Sequence, residues 1–383
     1  MTDSITPGTA ADYPTVHWNE AGEERSARWR SEAGLPPPKR VMVVDDTLNA
    51  DAAYKLACEG TTLLWRGDYQ NARQLLQALV RRVERKPAKR AATASEAFHL
   101  HRQAQGRRAR ILSMLLLPLD AAYHIPLRRA PDVVAACTEA YGEAGAASLV
   151  SLRELLGLIG AHEWRKKGVE VKALGARIHP HYGVFAPIRG EYVDLVAKAP
   201  LPDTTRAFDI GTGSGVLAAV LARRGVTQVV ATDQDARALA CAAENLQRLG
   251  LDAQVTLQQA DLFPEGQAAL IVCNPPWLPA KPTSPVEYAV YDPDSRMLRG
   301  FLQALAPHLT AKGEGWLIMS DLAEHLGLRS RDALLGWIAD AGLVVLGRLD
   351  VRPTHKKSLE VVDALHEARM AEVTSLWRLG RAE

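Results

Sequence analysis

The sequence predicts an α/β protein: a mostly parallel sheet covered by helices on both faces, preceded by a helical N-terminal domain. Three observations carry this. Beyond Pro202, short apolar runs alternate with helical stretches, the pattern of parallel strands joined by crossover helices. A glycine-rich turn, residues 211–215, follows the first of these runs directly. Between residues 41 and 168, apolar residues instead recur at helical spacing.

Residues 1–40 are polar and broken by Pro36, Pro37 and Pro38, which reads as a loosely tethered tail. From Asn49 the pattern is helical, with Tyr54, Cys58, Thr61 and Leu64 on one face. Asp68 stands where an N-cap belongs, ahead of Leu75, Leu76, Leu79 and Val80. Further helices are expected over 95–117, ended or kinked by Pro118, and over 131–141 and 148–164. Gly168, after Lys166 and Lys167, is a C-terminal stop. Residues 41–168 therefore read as a helical accessory or substrate-recognition domain.

The texture changes at Val169, where a second domain, residues 169–383, begins. Residues 169–171 and 176–178 form a hairpin turned at Leu174-Gly175, and a loop follows at 181–187. A helix starts at Glu191. Strands are expected at 207–210, 228–233, 253–258, 269–274, 315–320, 344–350 and 373–379, seven in all. Helices are expected at 215–224, 235–249, 298–309 and 330–341. The last two strands have a different connector, which allows one of them to run antiparallel.

Composition sets the bounds. A chain of 383 residues suits two domains. With 47% hydrophobic and 23% charged residues it reads as a soluble globular protein. The longest apolar run, 111–119, falls well short of the roughly 18–20 residues a membrane helix needs. No signal pattern opens the chain, so a cytoplasmic protein is expected, with Cys58, Cys137, Cys241 and Cys273 reduced. His179 and His181 flank Pro180 without further ligands, so no metal is expected. Residues 81–110 hold ten Lys or Arg against Glu84 and Glu96. That is either a phosphate-contacting surface or a solvated helix face. Lys356 and Lys357 offer a smaller choice of the same kind, between an acidic-substrate contact and a solvated loop.

Chemistry enters at Asp209-Ile210-Gly211-Thr212-Gly213-Ser214-Gly215. Such a turn lets a ligand approach the backbone closely, and the helix start offers N–H groups. The dinucleotide fingerprint wants its third glycine one place later, where Val216 stands. Asp233 ends the next strand, where an acid can accept both hydroxyls of a ribose. Gln234 follows it. Asp261 lies past the third strand, within reach of an adenine amino group, with Leu262 beside the ring. Past the fourth strand comes Asn274-Pro275-Pro276-Trp277. The Asn274 side-chain oxygen and the Pro275 carbonyl can accept hydrogen bonds from an NH₂ group. Pro276 stiffens the turn, and Trp277 offers a flat stacking face.

These motifs together resemble the class I S-adenosylmethionine-dependent methyltransferases that act on planar nitrogens, over about residues 169–379. Within that class the chain is similar to methyltransferase small-domain enzymes and to the glutamine methyltransferases of the HemK/PrmC type. The resemblance implies a Rossmann-like, seven-stranded methyltransferase domain. It places Asp209, Gly211, Gly213 and Gly215 around the methionine part of S-adenosyl-L-methionine, Asp233 at the ribose and Asp261 at the adenine with Leu262 beside the ring, and it puts Thr212, Gln234 and Asn274 against the cofactor as well. Tyr182, with the segment through Phe185, Arg189 and Glu191, would cover the cofactor. Asn274, Pro275, Pro276 and Trp277 would hold the methyl acceptor. Trp277 departs from the usual Tyr or Phe and leaves the acceptor open: a protein glutamine amide, an exocyclic amine of an RNA or DNA base, or a small molecule. The expected partner is ribosomal RNA or a translation protein. A non-catalytic cofactor-binding scaffold is the contrasting reading.

Overall fold

The computed structural model describes residues 13–85, 91–283, 285–353 and 365–382. The chain divides into two compact units, Met1–Pro87 with Ala104–Gly160, and Ala88–Gln103 with Ala161–Glu383. The second unit thus begins before residue 169 and includes a stretch far upstream.

The first unit departs most from expectation, because it is built on a six-stranded sheet. Its strands are β1 (Thr15–Glu20), β2 (Glu23–Arg30), β3 (Val41–Val44), β4 (Thr62–Trp65), β5 (Leu115–Leu119) and β6 (Ser148–Ser151). Their order is β1-β2-β6-β5-β4-β3. The expected tail therefore holds a hairpin. Val16 and Trp18 point into the core while Thr15 and His17 face solvent, and Ala21-Gly22 close the turn at positive φ. The expected helical domain holds the other four strands. The helix Ala50–Cys58 stops before Leu64, and the helix Ala94–Leu112 stops before β5. Pro118 lies inside β5, paired opposite Leu149, and ends no helix. Residues 148–151 are strand, and the helix Leu152–Lys167 follows them. The physical cause is shared. A strand buried on both faces is a continuous apolar run, which periodicity cannot separate from a buried helix. Every residue of β4, β5 and β6 is buried. Asp68 does cap the helix Tyr69–Glu84, accepting the Gln70 N–H at 2.8 Å.

The second unit opens with the hairpin β7 (Val169–Val171) and β8 (Ala176–Ile178). A sheet of seven strands follows: β9 (Arg206–Ile210), β10 (Gln228–Asp233), β11 (Val255–Gln259), β12 (Ala268–Cys273), β13 (Leu309–Ser320), β14 (Leu343–Val351) and β15 (Thr374–Arg381). Their order is β11-β10-β9-β12-β13-β15-β14. The strands from β11 to β13 pair in parallel, and β15 runs antiparallel to both β13 and β14. This is a Rossmann-like mixed sheet. Alternate residues of β12 feed the two covering layers. Leu270 and Val272 pack with the helices Glu191–Lys198 and Val216–Arg223. Ile271 and Cys273 pack with Arg296–His308 and Arg331–Asp340. All four cysteines are free thiols, and only Cys58 is exposed.

The chain leaves β9 toward one edge of the sheet and returns to β12 beside it. That reversal opens a crevice at the carboxyl ends of the strands. Gly215 leads from the glycine turn into the helix Val216–Arg223. Its φ is +79°, and a Cβ there would lie 3.1 Å from the Ala242 Cβ and 3.2 Å from the Ala242 Cα. Gly215→Ala should therefore lower the free energy of unfolding by about 1–3 kcal/mol, measured by urea denaturation. An unchanged midpoint would show that the two helices separate freely at this point.

Candidate active site

A cavity of about 460 Å³ lies at the carboxyl ends of β9, β10 and β12. Its floor is the glycine turn, and the turn's shape is imposed from beneath. Asp209 is buried, and its Oδ2 accepts the Thr212 hydroxyl at 2.7 Å and the Ala218 N–H at 3.0 Å. The Thr212 N–H donates to the Thr232 carbonyl at 2.8 Å, which ties the turn to β10. The Gly213 N–H donates to Asp233 Oδ2 at 3.0 Å, and the Asp235 N–H donates to Asp233 Oδ1 at 3.0 Å. At Gly211 φ is +72°, a left-handed conformation that favours glycine, and a Cβ there would meet the terminal methyl of Met297 at 2.5 Å.

Two carboxylates here titrate abnormally. Burial pushes Asp209 up to about 6, against the hydrogen bonds from Thr212 and Ala218, and the charge of Asp233 adds to the rise. Asp233 is raised too, chiefly by burial. Perturbed carboxylates in a cleft mark functional sites more often than chance.

The far wall is Asn274-Pro275-Pro276-Trp277, immediately after β12. Trp277 is half-buried and packs against both core layers, which fixes its ring plane. Its indole Nε1–H donates to Asn274 Oδ1 at 3.0 Å. The asparagine oxygen is thus oriented by its own motif, and one lone pair remains for a ligand. Leu262 takes a φ of +82°, uncommon for a branched side chain, and the Thr232 hydroxyl holds it by donating to its carbonyl at 2.5 Å.

Residues 177–326 match the family model described as methyltransferase small domain. The chain carries a class I methyltransferase domain. Similar curated proteins include a ribosomal protein L11 methyltransferase of Symbiobacterium thermophilum, 44% identical over 18% of this chain and 23% of that protein. A release factor glutamine methyltransferase of Bacteroides thetaiotaomicron is 37% identical over 30% of this chain and 43% of the relative. A tRNA1(Val) (adenine(37)-N6)-methyltransferase of Shewanella sp. (strain MR-4) is 26% identical over 49% of this chain and 90% of the relative. The chain spans between 23% and 43% of the length of the first four relatives.

The methyltransferase domain brings most of the expected residues together. Gly211, Thr212, Gly213, Asp233, Gln234, Asp261, Leu262 and the four residues from Asn274 to Trp277 all line the cavity. Three do not. Asp209 braces the turn from below, Gly215 faces Ala242, and Tyr182 lies near the Arg237 guanidinium, 5.7 Å from ring centre to Cζ. Of the covering loop, Val184, Phe185 and Arg189 line the cavity instead. Asp261 lines it as well, and its Oδ2 accepts from Arg296 at 2.6 Å. His179 and His181 bond to the Arg165 carbonyl and the Glu244 carboxylate. No group of three metal-ligating residues occurs among the described residues. Lys356 and Lys357 lie outside them. Sequence reasoning missed Tyr192, Met297 and Glu372. Tyr192 sat one place into an expected helix, and nothing local singles out the other two.

The Asp209 value fixes a sign. Its folded-state value lies above the ordinary 3.8, so the folded chain holds a proton that the unfolded chain releases. Stability from this group is full below about pH 4 and is lost as pH rises through about 6. Asp209→Asn should remove that slope. Between pH 4 and 7, unfolding free energy should shift toward the variant by on the order of 3 kcal/mol. Parallel pH profiles for the two proteins in urea denaturation would contradict the buried assignment.

Proposed function

We propose that this chain transfers a methyl group from S-adenosylmethionine to a planar nitrogen, either a protein glutamine amide or an exocyclic amine of a nucleic-acid base. The observation that carries the reading is that Asn274-Pro275-Pro276-Trp277 lines the same cavity as Gly211, Gly213 and Asp233. The residues present fit the cofactor. Gly211 and Gly213 present bare backbone to the cavity. Asp233 presents carboxylate oxygens to ribose hydroxyls, and Leu262 presents an apolar side chain to a ring. When bound, S-adenosylmethionine supplies an electrophilic methyl carbon on a positively charged sulfur.

The chain's own residues do the rest. An amide or aryl amine is a weak nucleophile because its lone pair is delocalised. Asn274 Oδ1 and the Pro275 carbonyl accept the N–H bonds of such a group and fix its direction. Trp277 limits the ring to one plane, so orientation supplies much of the rate. The proton is lost to water during or after the methylation, and no strong base is needed. The indole bond to Asn274 decides which end of the amide faces the acceptor.

The named relatives act on parts of the translation apparatus, which supports a macromolecular acceptor, ribosomal RNA or a translation protein. Exposed Arg81, Arg85, Arg107 and Arg110 in the first unit offer charges for phosphate, whereas Arg82 and Arg108 pair with Asp51 and Glu84. Lys86, Lys89 and Arg90 lie outside the described residues. No described helix is long and apolar enough to cross a membrane.

Three variants test the reading. Asp233→Ala should weaken S-adenosylmethionine binding by roughly 1–3 kcal/mol in calorimetry; unchanged affinity would remove it from the ribose. Asn274→Ala should abolish methyl transfer with cofactor affinity near wild type, and equal loss of both would make Asn274 structural. Trp277→Phe keeps a flat face but removes the indole N–H. It should slow transfer by roughly 3- to 10-fold with cofactor affinity unchanged, and a wild-type rate would reduce Trp277 to stacking alone.

A further inference from the structure

Gly183, Val184 and Phe185 line the cavity, and the residues just before them are gripped by one face of the helix Ala236–Leu249. Cys241, Glu244 and Asn245 stand three and four places apart, so they share that face. Asn245 is 1% exposed, and its amide is directed to backbone groups. Its Oδ1 accepts the His179 N–H at 2.7 Å, while its Nδ2 donates to the His179 carbonyl at 3.3 Å and to the Ser214 carbonyl at 3.1 Å. Ser214 belongs to the glycine turn, so one side chain ties that turn to the start of the segment. The His181 N–H donates to Cys241 Sγ at 3.4 Å, and the His181 carbonyl accepts the Val184 N–H at 3.1 Å. Val184 is buried against Ala238 and Cys241.

Glu244 closes this network. Its Oε2 accepts from His181 Nε2 at 2.7 Å and from Arg165 Nη2 at 2.5 Å, and its Oε1 accepts from Arg248 Nη2 at 2.6 Å. Burial pushes this carboxyl up, but the donors Arg248, His181 and Arg165 outweigh burial and hold it at about 2. The group is therefore a carboxylate at neutral pH, and its bonds are charge-assisted. Neither Glu244 nor His181 lines the cavity. The helix that carries Glu244 begins just after Asp233, and its Ala238 both lines the cavity and packs against Val184. Val184 thus lies beside the wall assigned to the ribose.

We propose that His181 and Glu244, together with Asn245, form a latch that holds residues 183–185 over the ribose side of the cofactor and so sets its affinity and residence without touching it. This rests on the S-adenosylmethionine reading. A ligand gains contact with the segment only while the segment is seated, so apparent affinity falls with the seated fraction. His181 and Glu244 are positioning residues: they act through the backbone of the segment.

The test measures S-adenosylmethionine binding to the full chain by calorimetry, its release by chase of radiolabelled ligand, and hydrogen exchange over residues 181–186. His181→Ala removes the ring and keeps the backbone bonds. It should weaken affinity about 5- to 10-fold through faster release, and the Val184 amide should exchange faster. His181→Gln keeps a side-chain donor for Glu244 and should return affinity to within about twofold of wild type. Should His181→Ala fail to fold, Glu244→Gln, which keeps a carbonyl acceptor but removes the charge, is measured instead and should weaken affinity about threefold or more. Wild-type affinity in His181→Ala or its stand-in, or equal weakening in His181→Gln, overturns the latch and leaves the cofactor reading standing. No binding to the wild-type chain overturns the cofactor reading itself and the latch with it.

Discussion

Asp209 fastens the glycine turn from beneath, and the geometry of the whole crevice follows from that contact. One carboxylate oxygen receives both the Thr212 hydroxyl and the Ala218 N–H. It thereby joins the end of β9, the turn and the first turn of the following helix into one rigid corner. Asp233 completes the corner from β10 by receiving the Gly213 N–H. The turn is then shaped in advance, and a ligand need not supply the free energy to order it. Burial is what this rigidity costs, and it shows as the raised titration of Asp209.

The opposite wall uses the same device in a neutral form. Asn274 is oriented by the Trp277 indole, and Trp277 is held by two core layers. Both walls are positioned by groups the ligand does not have to touch. Second-sphere contacts of this kind turn a polar residue into a directed hydrogen-bond acceptor. Trp277 matters here because a phenylalanine in its place would have no donor to offer Asn274.

Legibility in the sequence followed the type of pattern. The second unit was readable because its strands and helices alternate and its turn and motif residues are adjacent in sequence. Even the antiparallel strand was foreshadowed by the altered connector before residue 373. The first unit was not readable, because Leu63, Leu64, Leu115 and Leu116 are buried on strands that look like helix segments. The hairpin at residues 15–30 was hidden by polar residues on its outer face. Within the site, the position of Asp209 two residues before the turn allows it either to meet a ligand or to brace the loop, and its bonds to Thr212 and Ala218 show that it braces the loop. Glu372 carried no local signal. It reaches Arg189, 183 positions away in sequence, only because β15 inserts beside β13.

A crystal structure with S-adenosylmethionine bound tests the central claim most directly. The account predicts the sulfur between Gly211 and Asn274, with the ribose on Asp233 and the transferable carbon directed toward the Asn-Pro turn. An empty crevice at saturating ligand, or a ligand seated elsewhere on the molecule, would contradict it.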